Sequence, residues 1–205
     1  MVRSFPVALA LVSALFVTQA QASLVDTVLA KISDTASPAM RNAAAGTTCV
    51  SAVGFSPEGS AARLVNDTID GAHHSIHVAA YSFTSIDIAR HLIDARRRGV
   101  EVAVLADERE NLEASSSKAS RAALKLLSDG GIAVRMISAY PIFHDKSMVV
   151  DNSTVETGSF NFSFSGARRN SENALVVTQC PELAGRYESH WQARWSQGVP
   201  YRTPY

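Results

Sequence analysis

No sign of charge dominates this chain. Lys+Arg and Asp+Glu both number 19 in 205 residues, so the formal net charge is zero. That excludes a histone-like or polybasic protein that grips a polyanion through bulk charge; any such grip must come from a local cluster. Cysteine is almost missing. With only Cys49 and Cys180, neither a disulfide-framework miniprotein nor a Cys-rich zinc module is possible. There is no low-complexity tract, no repeat at a solenoid period and no HExxH pattern. His73, His74 and His77 straddle a helix end and a strand, so they read as structural or surface histidines, not a metal set. No metal and no other cofactor is expected.

What is present is enough apolar sequence, 46% against 19% charged, to bury the core of one ordinary domain. Residues 1–22 read as an export signal: Arg3, an apolar stretch from Phe5 to Val17, then Ala20-Gln21-Ala22 as a small-x-small cleavage site. That stretch is shorter than the roughly 20 residues a bilayer span needs. The mature protein is therefore expected in a periplasm or outside the cell, without stable membrane association. In an oxidising compartment Cys49 and Cys180 could form a bridge worth up to about 4–5 kcal/mol, or stay as two buried thiols. Residues 23–47, rich in Ala, Ser and Thr, read as a lead-in, and 48–205 as a single domain.

Within that domain the hydrophobic period alternates between two and 3.6. Strands are expected from Cys49 to Phe55, Ser75 to Tyr81, Val100 to Ala106 and Ile132 to Ile137. Helices are expected from Ala61 to Ala72, from a capping box at Thr84-x-x-Asp87 to Arg96-Arg97-Arg98-Gly99, and from Ser116 to Asp129. Met148–Val150 and Asn173–Thr178 look strand-like, and Pro181 opens a last helix carrying Leu183, Tyr187, Trp191 and Trp195. The expected fold is α/β, a mixed sheet with helices on both faces.

The chemistry concentrates in one stretch. His144 and Lys146 lie two apart, so in a strand they share a face. An imidazole can attack or carry a proton near neutral pH, and an ammonium can hold a phosphate oxygen. Ser159 and Asn161 repeat the spacing and offer a hydroxyl and an amide to the same anion. Phe160, Phe162 and Phe164 take the alternate parity and are expected in the core. Asp151 has the opposite parity to His144, and Asp151-Asn152-Ser153 has turn chemistry, which makes it a structural carboxylate by position. Glu172 could accept a hydrogen bond from His144 and fix its tautomer. Arg168 and Arg169 either hold flanking phosphates or form a solvated pair. Tyr81, Asp107 and Glu108 end strands and are plausible rim residues.

Written as a pattern, the segment is HxKxxxxD-x6-GSxN, from His144 through Lys146 and Asp151 to Gly158, Ser159 and Asn161. This resembles the phospholipase D superfamily. The stretch FHDKSMVVDNSTVETGSFNFS, with Asn170-Ser171-Glu172-Asn173 after it, looks like that family's small exported bacterial endonucleases. SPEGSA at 56–61, AYSFTS at 80–85, RRGVEV at 97–102, DER at 107–109 and HWQARWSQG at 190–198 extend the likeness over most of the chain. The resemblance implies a phospholipase D-like sandwich and a catalytic set of His144, Lys146, Asp151, Ser159, Asn161 and Glu172. It also implies metal-independent hydrolysis of nucleic acid, DNA and possibly RNA, through a phosphohistidine on His144. Only one HxK is present, so a homodimer with a shared site is expected where larger relatives carry two copies. A lipid head-group hydrolase and a non-catalytic nucleic-acid binding module are the alternatives.

Overall fold

The computed structural model describes residues 48–113 and 117–202; the export signal and the lead-in lie outside the described residues. These fall in one compact unit, Thr47–Tyr205. Eight strands form one sheet: β1 (Val50–Ser56), β2 (Ser75–Ala80), β3 (Glu101–Asp107), β4 (Ala133–Ile137), β5 (Lys146–Val150), β6 (Thr154–Gly158), β7 (Glu172–Thr178) and β8 (Val199–Pro200). Their order is β1-β7-β6-β5-β2-β3-β4-β8. β2, β3 and β4 are parallel, and every other pairing is antiparallel. The expected mixed α/β sheet is what forms.

Alternation along the strands builds two cores. Ile76, Val78 and Ala80 of β2, with Val102, Val104 and Ala106 of β3, face α1 (Ser60–Asp70), α2 (Ile86–Arg97) and α3 (Ser117–Asp129). α1 buries Ala61, Val65 and Ile69, four residues apart, and α2 buries Ile88, Ala89, Leu92 and Ile93 as the spacing predicts. Gly54 lets α1 start close on β1, since a Cβ there would lie 2.6 Å from the Ser60 carbonyl. The opposite face presents Ala79, Ala103 and Leu105 to Trp191 of α5 (Pro181–Trp195), and Val149 and Val155 to Ala184. The Trp191 indole donates to the Val78 carbonyl at 2.9 Å and its ring stacks on His77 at 4.2 Å.

Two local readings change, and two details are new. The cap of α2 is Ser85, whose hydroxyl accepts from Ile88 N–H, and Asp87 instead accepts from the Asn66 amide at 3.0 Å. Phe160 and Phe162 are core, but Phe164 is 59% exposed. Ser163 caps a short helix, α4 (Phe164–Arg168), and ends the extended parity before Phe164. Arg98 is committed to the end of α1, donating to the carbonyls of Ile69 and Asp70. Strand β6 carries no strong apolar signal because Glu156 occupies its buried centre.

Cys49 and Cys180 are joined, closing a loop across a sequence separation of 131. The chain-entropy model values such a loop at roughly 5 kcal/mol. The bridge pins the entry of β1 to the start of α5.

Glu156 lies between Met148 of β5 and Val176 of β7, 1% exposed, and among the described residues neither carboxylate oxygen is hydrogen-bonded. Burial pushes its carboxyl up to about 8. A Glu in the unfolded chain ionises near about 4.3. Rising pH therefore draws a proton from the unfolded state first, and stability is lost across that window. Glu156→Gln should melt close to wild type at the acid end. Its advantage should grow to about pH 8 and stay level above, as thermal unfolding across pH will read.

Candidate active site

The direction of β5 decides where the site lies. Parallel β2 and β3 bring their C-terminal ends to one edge of the sheet, and β5, running against β2, starts at that edge with Lys146 opposite Ala80. β6 ends there and β7 begins there. Tyr81, His144, Lys146, Ser159, Asn161 and Glu172 therefore converge from distant parts of the sequence.

His144 is exposed at the mouth of a cavity of about 470 Å³. Its ring packs edge-on against Tyr81, with centroids 4.5 Å apart. The backbone before it is fixed by Asp107, a buried carboxylate that accepts from Phe143 N–H at 2.7 Å and Glu110 N–H at 2.8 Å. Asn111, fully buried, donates to the carbonyls of Tyr81 and Asp107 and accepts from Phe83 N–H. Asp107 is thus a support beneath the rim and not a rim residue. Asn111 gave no sequence signal beyond its position after a strand.

Lys146 is 9% exposed, its Nζ 3.0 Å from the His144 carbonyl and 5.0 Å above the Tyr81 ring. Burial lowers its affinity for the proton, and the carboxylates of Glu172 and Asp145 pull part of it back. Burial also raises the Tyr81 phenol, with Glu110 and Asp107 adding to the rise.

Gly158 is where β6 pinches against β7. A Cβ there would stand 2.2 Å from the Asn173 carbonyl, which accepts from both Ser159 N–H and Phe160 N–H. At this bulge Ser159 turns out while Phe160 points into the core. The Ser159 hydroxyl accepts from Asn173 N–H at 3.1 Å, which leaves its own proton free for a ligand. Among the described residues the Asn161 Oδ1 is buried without a hydrogen-bond partner.

Two expected residues stand differently. Glu172 accepts from the Asn170 amide at 2.8 Å, and among the described residues no hydrogen bond joins it to His144. It acts on Lys146 through charge. Asp151 is not brought to the site at all. It follows the far end of β5, in a turn where it and Asn152 take positive φ of 51° and 50°. Its oxygens accept from the backbone N–H groups of His73, His74 and Ser75 at 2.7–2.9 Å, holding the entry to β2. The signature carboxylate is a strap between β2 and β5.

The other wall of the cavity comes from α5. Arg186, Tyr187 and His190 face His144 and Lys146 across it, and His190 Nε2 is 2.8 Å from Asp145 Oδ2. Asp145 sits between the two motif residues on the opposite parity, which the pattern treats as a free position. Arg168 lies away from this cavity, in a groove beside Thr84 and Arg90, and Arg169 stacks over Phe164.

A family model described as the phospholipase D-like domain of cardiolipin synthase matches residues 65–195. The chain belongs to the phospholipase D superfamily. The crystal structure of Nuc, a phospholipase D family member from Salmonella typhimurium, is similar at 49% identity and a TM-score of 0.72. That match covers 75% of this chain and 99% of Nuc. A phospholipase D of Rickettsia bellii is 37% identical over 68% of this chain and 66% of its own length. The mitochondrial cardiolipin hydrolase of Xenopus laevis is 30% identical over 63% of this chain and 59% of its own. The chain thus spans 54–66% of the length of these and similar curated relatives.

Asp151 supplies a test of the strap. Burial would raise its carboxyl, but the N–H groups of Ser75, His73 and His74 outweigh that and hold it below the ordinary value. A carboxyl held low adds stability above its unfolded value, about 3.9, and loses it as pH falls through the folded one. Asp151→Asn should therefore melt below wild type at neutral pH, with the gap closing in acid, as calorimetry at several pH values will read.

Proposed function

We propose that this protein is an exported, metal-independent phosphodiesterase that hydrolyses nucleic acid with little sequence preference. The observation that carries the reading is the pairing of exposed His144 with buried Lys146 at one sheet edge. One ring nitrogen of His144 attacks phosphorus, and the bond to the leaving oxygen breaks as that oxygen takes a proton. Water then attacks phosphorus, loses a proton to a base and displaces His144. Lys146, Ser159 and Asn161 hold the charge on the phosphoryl oxygens in both steps.

The substrate assignment rests on the resemblance to the small exported endonucleases and on an open cavity that carries Lys146 and Arg186 on its walls. The Cys49–Cys180 bridge suits an oxidising compartment, periplasmic or extracellular.

Displacement at phosphorus is in line, so attacking and leaving atoms stand on opposite sides. A single His144 cannot serve both. We place the second function on the partner's His144 in a two-fold dimer with one shared site. An apolar surface adjoining the cavity supports a second copy: Val53, Phe55 and Leu175 are exposed on the sheet face that α5 leaves bare, and Leu175 pairs with Thr157 of the cavity wall.

Turnover of nucleic acid should survive excess EDTA. His144→Ala should abolish it, and Lys146→Ala or Asn161→Ala should each cost about 10²–10³ in rate. Loss on chelation restored by Mg²⁺, or turnover of a phosphatidylcholine emulsion alone, would refute the reading. Separately, dimers mixing wild-type and His144→Ala subunits should be almost inactive; half the wild-type rate would show that each chain works alone.

A further inference from the structure

The proposed chemistry uses only one side of the cavity. His144 and Lys146 line it from the sheet edge, whereas Arg186 and His190 of α5 close the other side. These two are four residues apart, so they project from the same face of the helix one above the other. A cavity of about 470 Å³ has room for far more than one phosphoryl group.

This second wall is held in place. The Cys49–Cys180 bridge fixes the helix start, and Trp191 fixes its middle through the Val78 carbonyl and the His77 ring. His77 in turn is paired with Glu188 at 2.8 Å. His190 is tethered by Asp145, the residue between His144 and Lys146, so its position is set relative to those two. That tether occupies Nε2, and the protonated imidazole donates to an anion through Nδ1. Arg186 spends one guanidinium contact on Glu182, 3.0 Å away on an exposed helix turn. Such a surface pair is weak, and a planar fork of five N–H donors retains capacity for a phosphate.

We infer that Arg186 and His190 form a second anion subsite, which binds the phosphodiester neighbouring the one cleaved. The inference rests on the nuclease reading. A nucleic-acid strand carries a phosphate next to the scissile one, which Arg186 can grip in the two-pronged manner its geometry favours. A small diester with a single phosphate has nothing to place there. The subsite therefore selects polymeric substrate by holding the strand, while the sheet-edge residues act on phosphorus.

The test compares the full oxidised chain on a single-stranded oligonucleotide of about a dozen nucleotides and on bis(p-nitrophenyl) phosphate. In Arg186→Gln, KM for the oligonucleotide should rise roughly tenfold or more with kcat little altered. kcat/KM for the small diester should fall far less. The dependence of log(kcat/KM) for the oligonucleotide on log salt should become shallower by about 0.7–1. Arg186→Lys, which keeps the charge, should restore most of that slope, and His190→Gln should show the same selectivity between substrates. Equal losses on both substrates, or an unchanged salt slope in Arg186→Gln, would overturn the subsite while leaving the nuclease reading standing. Turnover of the small diester by wild type with no cleavage of the oligonucleotide would overturn both.

Discussion

β5 enters the sheet between β2 and β6 and runs against both, and the assembly of the site depends on that reversal. Parallel strands followed by helices deliver their C-terminal ends to a single edge. A fourth parallel strand in this place would have carried His144 and Lys146 to the opposite edge, beside His73 and His74. Because β5 is antiparallel, its first residues join the ends of β2, β3 and β6 and the start of β7. The same reversal sends Asp151 to the far edge, where it straps β5 to the entry of β2.

Direction alone places the motif only coarsely. The finer placement comes from polar groups buried behind the reactive ones. Asp107 and Asn111 join the end of β3, the segment after β2 and the peptide just before His144 into one hydrogen-bonded block. Every bond in that block goes to backbone, so it fixes chain position whatever side chains stand at the edge. Tyr81 then serves two neighbours at once, with its ring against the His144 imidazole and under the Lys146 ammonium.

The elements with strong periodicity were legible in the sequence: β2, α2, β3 and the spacing that brings His144, Lys146, Ser159 and Asn161 to one edge. β6 was not, because Glu156 breaks its apolar run and Gly158 serves a backbone approach with no local composition signal. Parity read Asp151 as structural, but the groups it would hold could not be named, since they lie 76–78 residues away. The Glu172–His144 contact followed from residue type; Asn170, two residues off, takes that carboxylate instead. α5 read as an ordinary amphipathic helix, and nothing in its spacing told which of its polar residues would look into a cavity. That depends on where the helix is pinned, which is a property of the whole fold.

The pin has a topological side. Cys49 lies just ahead of β1 and Cys180 just ahead of α5, so the covalent ring between them contains seven of the eight strands and every site residue of the sheet edge. A single peptide bond cut anywhere inside that ring produces two fragments that cannot part. Their half-sheets stay tethered at high local concentration and can re-pair without a search through solution. For a protein met by proteases, one nick in the loop between β4 and β5 would then be a scar and not a dismemberment.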